Sequence, residues 1–266
     1  MFTMRYKSLQ ITLITFLGFI LFYIPYAYFF KDINNLFRSI FLDELAFALT
    51  YTVVAIPMFI AVGINVRFRN IIDNLGLKSN IPNAFFLSLF FIVPMFVGYA
   101  FVFDFNTEIT MSKLFVSSVC AGFFEELYYR GYLFGQLYRN TKLGFIPSVI
   151  VGAIVFGLLH LYQGNDFASS ISVFLVTFAG GVMFAWLYAE WRFNIWVPVF
   201  LHMLMNMSWM LFSAAETAAG NTYSNIFRAI TIALAILFTI FYKLKSGYKL
   251  EINRRTLIIK RDQNPP

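Results

Sequence analysis

The sequence predicts an all-α fold, a polytopic membrane helix bundle of about eight transmembrane helices with both termini cytoplasmic. Three observations carry this. The chain is 60% hydrophobic and 12% charged over 266 residues, against about 45–50% and about 25% in soluble domains. A soluble α-protein of this size would lack the charged residues to cover its surface. Eight apolar segments follow one another, each near the ~20 residues needed to cross about 30 Å of hydrocarbon. Lys and Arg are also unevenly placed between the connecting loops, as the positive-inside rule requires.

The segments are Leu9–Phe30, Ile40–Ile64, Ile81–Phe103, Ser112–Leu137, Phe145–Tyr162, Phe167–Tyr188, Phe193–Ala214 and Ser224–Tyr242. Arg5 and Lys7 precede the first, as in a signal peptide. The run that follows is rich in aromatics and lacks a small-x-small cleavage site, so it reads as a retained helix. The second and fourth segments contain acids and rank lowest by hydropathy. With the N-terminus inside, the inner face holds Arg5, Lys7, Arg67, Arg69, Lys78, Arg139, Lys142 and Arg192. It also holds Lys243, Lys245, Lys249, Arg254, Arg255, Lys260 and Arg261 of the tail. The outer face holds Lys31, Arg38, Lys113 and Arg228, and Arg130 lies within the membrane. This divides the chain into one membrane-embedded helical domain, residues 1–242, and a short basic cytoplasmic tail, residues 243–266. The tail is expected to act as a positive-inside anchor, with binding to anionic lipid as the alternative.

The net charge of +7 sits mostly in loops and tail, which is a membrane pattern and not a nucleic-acid surface. The single cysteine, Cys120, excludes an intrachain disulfide framework and a Cys-rich metal site.

Chemistry concentrates in AGFFEELYYRGYLFGQLYR, residues 121–139, where Glu125, Glu126 and Arg130 lie inside a segment long enough to span. An ionised carboxylate at that depth costs about 2.5 kcal/mol or more. Glu126 and Arg130 are i and i+4 with the acid first, the favourable order for an ion pair. Glu125 points about 100° away and has no local partner. It is a candidate general base or acid, or else part of a structural pair. The only two histidines, His160 and His202, also fall within or at the end of apolar segments. His160 shares a helix face with Phe156, and His202 shares one with Asn206. An imidazole and an amide aimed one way suit a developing oxyanion. Glu125 and His160 could hold and deprotonate a water. Alternatively, Glu125, His160 and His202 could bind zinc with an open position for water. Both schemes give peptide hydrolysis. If these groups meet, the fifth segment must extend past Tyr162, or be offset or tilted.

Other nucleophile schemes are weaker. Cys120 is not on the face of Glu125. No Gly-x-Ser-x-Gly elbow and no His-Glu-x-x-His helix is present. Asp43 and Glu44 lie where snorkelling to the interface suffices. Gly180 with Gly181, and Ala153 with Gly157, read as small residues that let helices pack closely.

Glu125-Glu126-x-x-x-Arg130, Phe156-x-x-x-His160 and His202-x-x-x-Asn206, in this order on successive membrane segments, resemble the CPBP family, the CAAX proteases and bacteriocin-processing enzymes also called the Abi family. The resemblance covers about residues 122–207. It implies a bundle of about eight spans in which Glu125, His160, His202 and Asn206 line one intramembrane cavity. It further implies that Glu125 and His160 activate water, that His202 and Asn206 stabilise the oxyanion, and that Glu126, Arg130 and Phe156 support them. Whether a metal takes part is left open by the resemblance. The expected partners are the lipid bilayer and a peptide or membrane-anchored protein substrate, with no nucleic acid. The expected location is a bacterial plasma membrane. A bacterial member would cut a prenylated CAAX-like protein or, more naturally, a peptide precursor such as a bacteriocin leader or signalling peptide. Two other classes compete: a non-catalytic scaffold or bacteriocin self-immunity protein, and a proton-coupled transporter. The transporter should show two related halves, and no repeat is evident.

Overall fold

A computed structural model describes residues 2–260, with side chains from Lys7 onward. The side chain of Arg5, Arg261 and the end of the basic tail lie outside the described residues. Among the described residues the structure is helical, and the only β contact is an isolated bridge between Leu143 and Ile259.

Eight helical segments form the bundle. Helix α1 is Phe2–Arg38 and α2 covers residues 43–66. The halves of α2, Asp43–Val54 and Ile56–Val66, meet at 45°. Pro57, at the start of the second half, lacks the N–H that would continue the ladder, which accounts for the bend. Helix α3 is Ile81–Val102, α4 covers residues 111–140, α5 is Phe145–Leu159, α6 is Phe167–Glu190, α7 is Trp196–Leu211 and α8 is Thr222–Lys245. Five of these are long and apolar enough to cross a membrane, or six if bent α2 counts as one span. The expectation of eight spans therefore exceeds what length and composition support. Helix α7 has only 16 residues, or about 24 Å, and α4 carries three charged groups in its middle.

Helix α4 is continuous but not uniformly α. It is π-helical over Phe115–Cys120 and Glu126–Phe134, on either side of the α-helical turn Ala121–Glu125. Local π-helical widening is commonly found at functional positions. The fifth helix stops at Leu159, with His160 as its C-cap, and a single 3-10 turn follows over Leu161–Gln163. It does not extend past Tyr162, which leaves an offset or a tilt of the fifth segment as the ways the sequence reading allowed these groups to meet.

Both ends of the described chain lie at one end of the bundle. Ser8 Oγ, near the start of α1, accepts from the Lys142 N–H at 3.4 Å, and the Lys260 N–H donates to the Lys142 carbonyl at 3.0 Å. Beyond α8, which continues past Tyr242 to Lys245, the chain folds back as a strap. Gly144, Phe145 and Ile146 N–H groups donate to the Ile258, Thr256 and Leu257 carbonyls at 2.8, 2.8 and 2.9 Å. These donors have no partner within their own helix, so the strap caps α5. Gly144 permits it, because a Cβ there would lie 2.5 Å from the Ile258 carbonyl carbon. The Glu190 carboxylate, fully buried, accepts from Lys243 Nζ at 2.6 Å and from the Glu251 and Ile252 N–H groups at 3.0 and 2.9 Å. The described part of the tail is thus built into the bundle.

Two aromatic cores flank the centre. One joins α1, α2 and α4 through Phe22, Tyr51, Phe124 and Tyr128. The other joins α3, α6, α7 and α8 through Phe91, Tyr99, Phe184, Leu201 and Ala235.

Candidate active site

The site forms where α4 and α7 come close together. A Cβ at Gly122 would lie 2.6 Å from Met203 Cγ and 2.9 Å from the Met203 backbone nitrogen. Only glycine allows that approach. Gly122 is one turn before Glu125 and Glu126, and Met203 follows His202, so this contact brings acids and imidazole together.

Glu126 is fully buried and pairs with Arg130, Nη1 to Oε1, at 3.0 Å. The same Oε1 lies 2.7 Å from His202 Nδ1. A carboxylate only accepts, so the Nδ1–H of His202 is the donor. This leaves Nε2 of His202 facing Glu125 Oε2 at 3.9 Å. That is too long for a direct hydrogen bond, yet both atoms can reach one water at about 2.8 Å. Glu125 keeps 22% of its side-chain surface while Glu126 keeps none, so the adjacent acids occupy different environments.

The Arg130 guanidinium lies over the Phe156 ring at 4.6 Å and the Phe184 ring at 5.4 Å. Cation–π contact and the carboxylate together offset the cost of burying its charge. Phe184 in turn stacks on His202, centroids 5.1 Å apart, and Phe156 lies against His160 at 4.4 Å. His160 Nδ1 is 2.7 Å from the Phe156 carbonyl. The carbonyl fixes the proton on Nδ1 and leaves Nε2 as the acceptor. Asn206 Nδ2 donates one N–H to the Ser117 carbonyl at 3.1 Å, which fixes the orientation of the amide.

Glu125, His160, His202 and Asn206 all line one cavity of about 650 Å³. Phe22, Tyr26, Tyr51 and Phe156 supply aromatic wall on one part, and Met183, Met205, Ile232 and Ile236 supply aliphatic wall on another. The cavity shares Ser117, Tyr162, Asn206 and Arg228 with a second one of about 960 Å³. Glu126 and Arg130 lie behind the wall.

The proposed metal set does not assemble. Among the described residues no three His, Cys, Asp or Glu side chains converge on one point. Glu125, His160 and His202 therefore do not fit a shared cation in this arrangement.

The sequence reading missed the bond from Glu126 to His202, the stacking of Phe184 on His202 and the role of the Ser117 carbonyl. The residues of each contact are 76, 18 and 89 positions apart, so no local spacing could have signalled them.

Fold and site together define a polytopic helical membrane protein with a carboxylate–imidazole cavity inside its bundle. The model of the Type II CAAX prenyl endopeptidase Rce1-like family matches residues 107–208 of the chain. It is 33% identical over 93 residues to the candidate membrane peptidase YdiL of Bacillus subtilis, covering 35% of this chain and 34% of that protein. It is 32% identical over 97 residues to the membrane-embedded CAAX protease MroQ of Staphylococcus aureus, covering 35% and 36%. The matches thus span about a third of these curated relatives. No solved structure matches the chain.

Proposed function

We propose that the chain is an intramembrane endopeptidase of a bacterial cell membrane. On this reading it hydrolyses a peptide bond of a membrane-associated protein or peptide precursor. The observation that carries the proposal is the 3.9 Å separation of Glu125 Oε2 and His202 Nε2 on the wall of a cavity that also exposes His160 and Asn206. The family match and the names of the two relatives support the same reaction class.

In the proposed mechanism a water sits beside Glu125, in the cavity that His160 also lines. Glu125 takes one proton, and the resulting hydroxide adds to the scissile carbonyl carbon. The charge that develops on the carbonyl oxygen is met by the free N–H of Asn206, with His202 beside it on the cavity wall. Glu125 then returns its proton to the amine nitrogen as the C–N bond breaks. Glu126, held by Arg130, orients His202 from behind, as a second carboxylate orients an imidazole in other hydrolytic sites. The positive-inside distribution of Lys and Arg supports placing both termini in the cytoplasm, with the His160 end of the cavity toward the outer face.

The test is hydrolysis by the purified chain in lipid vesicles, run in ¹⁸O-labelled water with a mixture of membrane peptides. One labelled oxygen in each new C-terminal carboxyl, lost in Glu125→Gln, is the expected result. No cleavage, or cleavage unaffected by Glu125→Gln, would contradict the proposal.

A further inference from the structure

Gly180 and Gly181 are adjacent in α6, yet they meet different surroundings. A Cβ at Gly181 would touch Ala153 of α5 at 3.3 Å, so this glycine serves close packing. A Cβ at Gly180 would have nothing within 4 Å. Gly180 also lacks the positive φ that would call for glycine, and its place inside a helix carries the usual cost of backbone freedom. Neither packing nor backbone conformation accounts for it. The reading of both glycines as packing residues therefore holds for Gly181 and fails for Gly180.

What Gly180 leaves is room in the cavity, which it lines together with Met183, Met205, Ile232 and Ile236. Phe184 lies one turn further along α6, on the same face and about 6 Å away, and its ring stacks on His202. The space beside Gly180 is therefore adjacent to the His202 side of the site, with the Phe184 ring as its nearest large apolar neighbour along α6.

We infer that this space is a subsite for a large apolar side chain of the substrate next to the scissile bond, with Gly180 setting the size it accepts. This rests on the endopeptidase reading and adds a specificity determinant to it. Filling the space should discriminate by size, because apolar pockets do so by about 10–200-fold per group accommodated or excluded.

Two measurements test it. The first reads occupancy without turnover. Gly180→Cys is placed in the Glu125→Gln chain in lipid vesicles and reacted with a membrane-permeant maleimide, with the buried Cys120 of Glu125→Gln alone as background. Peptides identical except for Ala, Leu or Phe at one position beside a single target bond are then added. The Leu and Phe peptides are expected to slow labelling about tenfold more than the Ala peptide. Equal slowing by all three, or no labelling above background, would overturn the subsite. The second measurement reads turnover. In the otherwise wild-type chain, Gly180→Val and Gly180→Phe are expected to lower the ratio of Leu-peptide to Ala-peptide cleavage by about tenfold or more. Both variants gain helix propensity over glycine, so loss of folding is not the expected outcome. An unchanged ratio would overturn the subsite while leaving the endopeptidase reading intact. Size-dependent protection without cleavage of any peptide would contradict the endopeptidase reading and leave the subsite standing.

Discussion

His202 Nδ1 lies 2.7 Å from Glu126 Oε1, a bond between α7 and α4 that leaves the other imidazole nitrogen facing Glu125. The two adjacent acids thus lie in different surroundings. Glu126 is sealed away with Arg130 and fixes the imidazole, and Glu125 remains in the cavity.

Replacing Glu126 by Gln keeps the shape and removes the charge that orients His202. Orienting partners of this kind are worth about 10–100-fold in activity. The expected result is a loss in that range in cleavage rate per folded protein, together with lower abundance in the membrane, because Arg130 is left buried without its carboxylate. Undiminished rates would show that His202 is held by other contacts.

Arg130→Ala would leave Glu126 buried without its cation. Breaking a buried pair from one side costs about 3–5 kcal/mol, and two ring contacts are lost as well. The melting temperature in detergent and the amount in the membrane should both fall. Arg130→Lys should recover part of the abundance, because it keeps the charge and loses the planar stacking. Wild-type thermal stability in Arg130→Ala would rule out the pairing as a source of stability.

The close approach at Gly122 makes a separate point testable. Gly122→Ala puts a methyl against the Met203 side chain and backbone, and overpacking of this kind costs about 1–3 kcal/mol. Forcing α4 and α7 apart moves both acids from His202, so activity should fall further than stability alone explains. Equal stability and activity in Gly122→Ala would mean that the helices can separate without disturbing the site.

The strap at the end of the chain depends on Glu190, which gathers Lys243 and two backbone N–H groups. Glu190→Ala leaves Lys243 facing a buried site without its counter-ion, and about 3–5 kcal/mol of stability should be lost. Limited proteolysis should then cut within residues 247–260. Continued resistance there would show that the backbone bonds to Gly144, Phe145 and Ile146 suffice.

Much of this arrangement is legible in the sequence where it depends on spacing along one helix. The eight helical segments follow from apolar runs. The contact of Glu126 with Arg130 and that of Phe156 with His160 follow from i, i+4 geometry. The register between helices is a different matter. Nothing local indicates that Glu126, and not only Glu125, reaches His202, because that depends on how closely Gly122 lets α7 approach. The early end of α5 was equally hidden, since FGLLHLY continues an apolar run although the helix ends within it. The tail reads as a charged appendage by composition, while its role in the fold comes from backbone groups, which carry no sequence signal. Gly180 and Gly181 look alike in the chain and differ only in what the neighbouring helices place opposite them.

Catalysis through Glu125 is tested most simply by comparing two strains, one carrying the wild-type chain and one carrying Glu125→Gln at matched membrane abundance. Their membrane and secreted peptides are compared by mass spectrometry. At least one peptide is expected to disappear in the variant while its uncut precursor accumulates. Identical peptide profiles under several growth conditions, with the variant present at its normal level, would contradict it and favour a non-catalytic scaffold or immunity role.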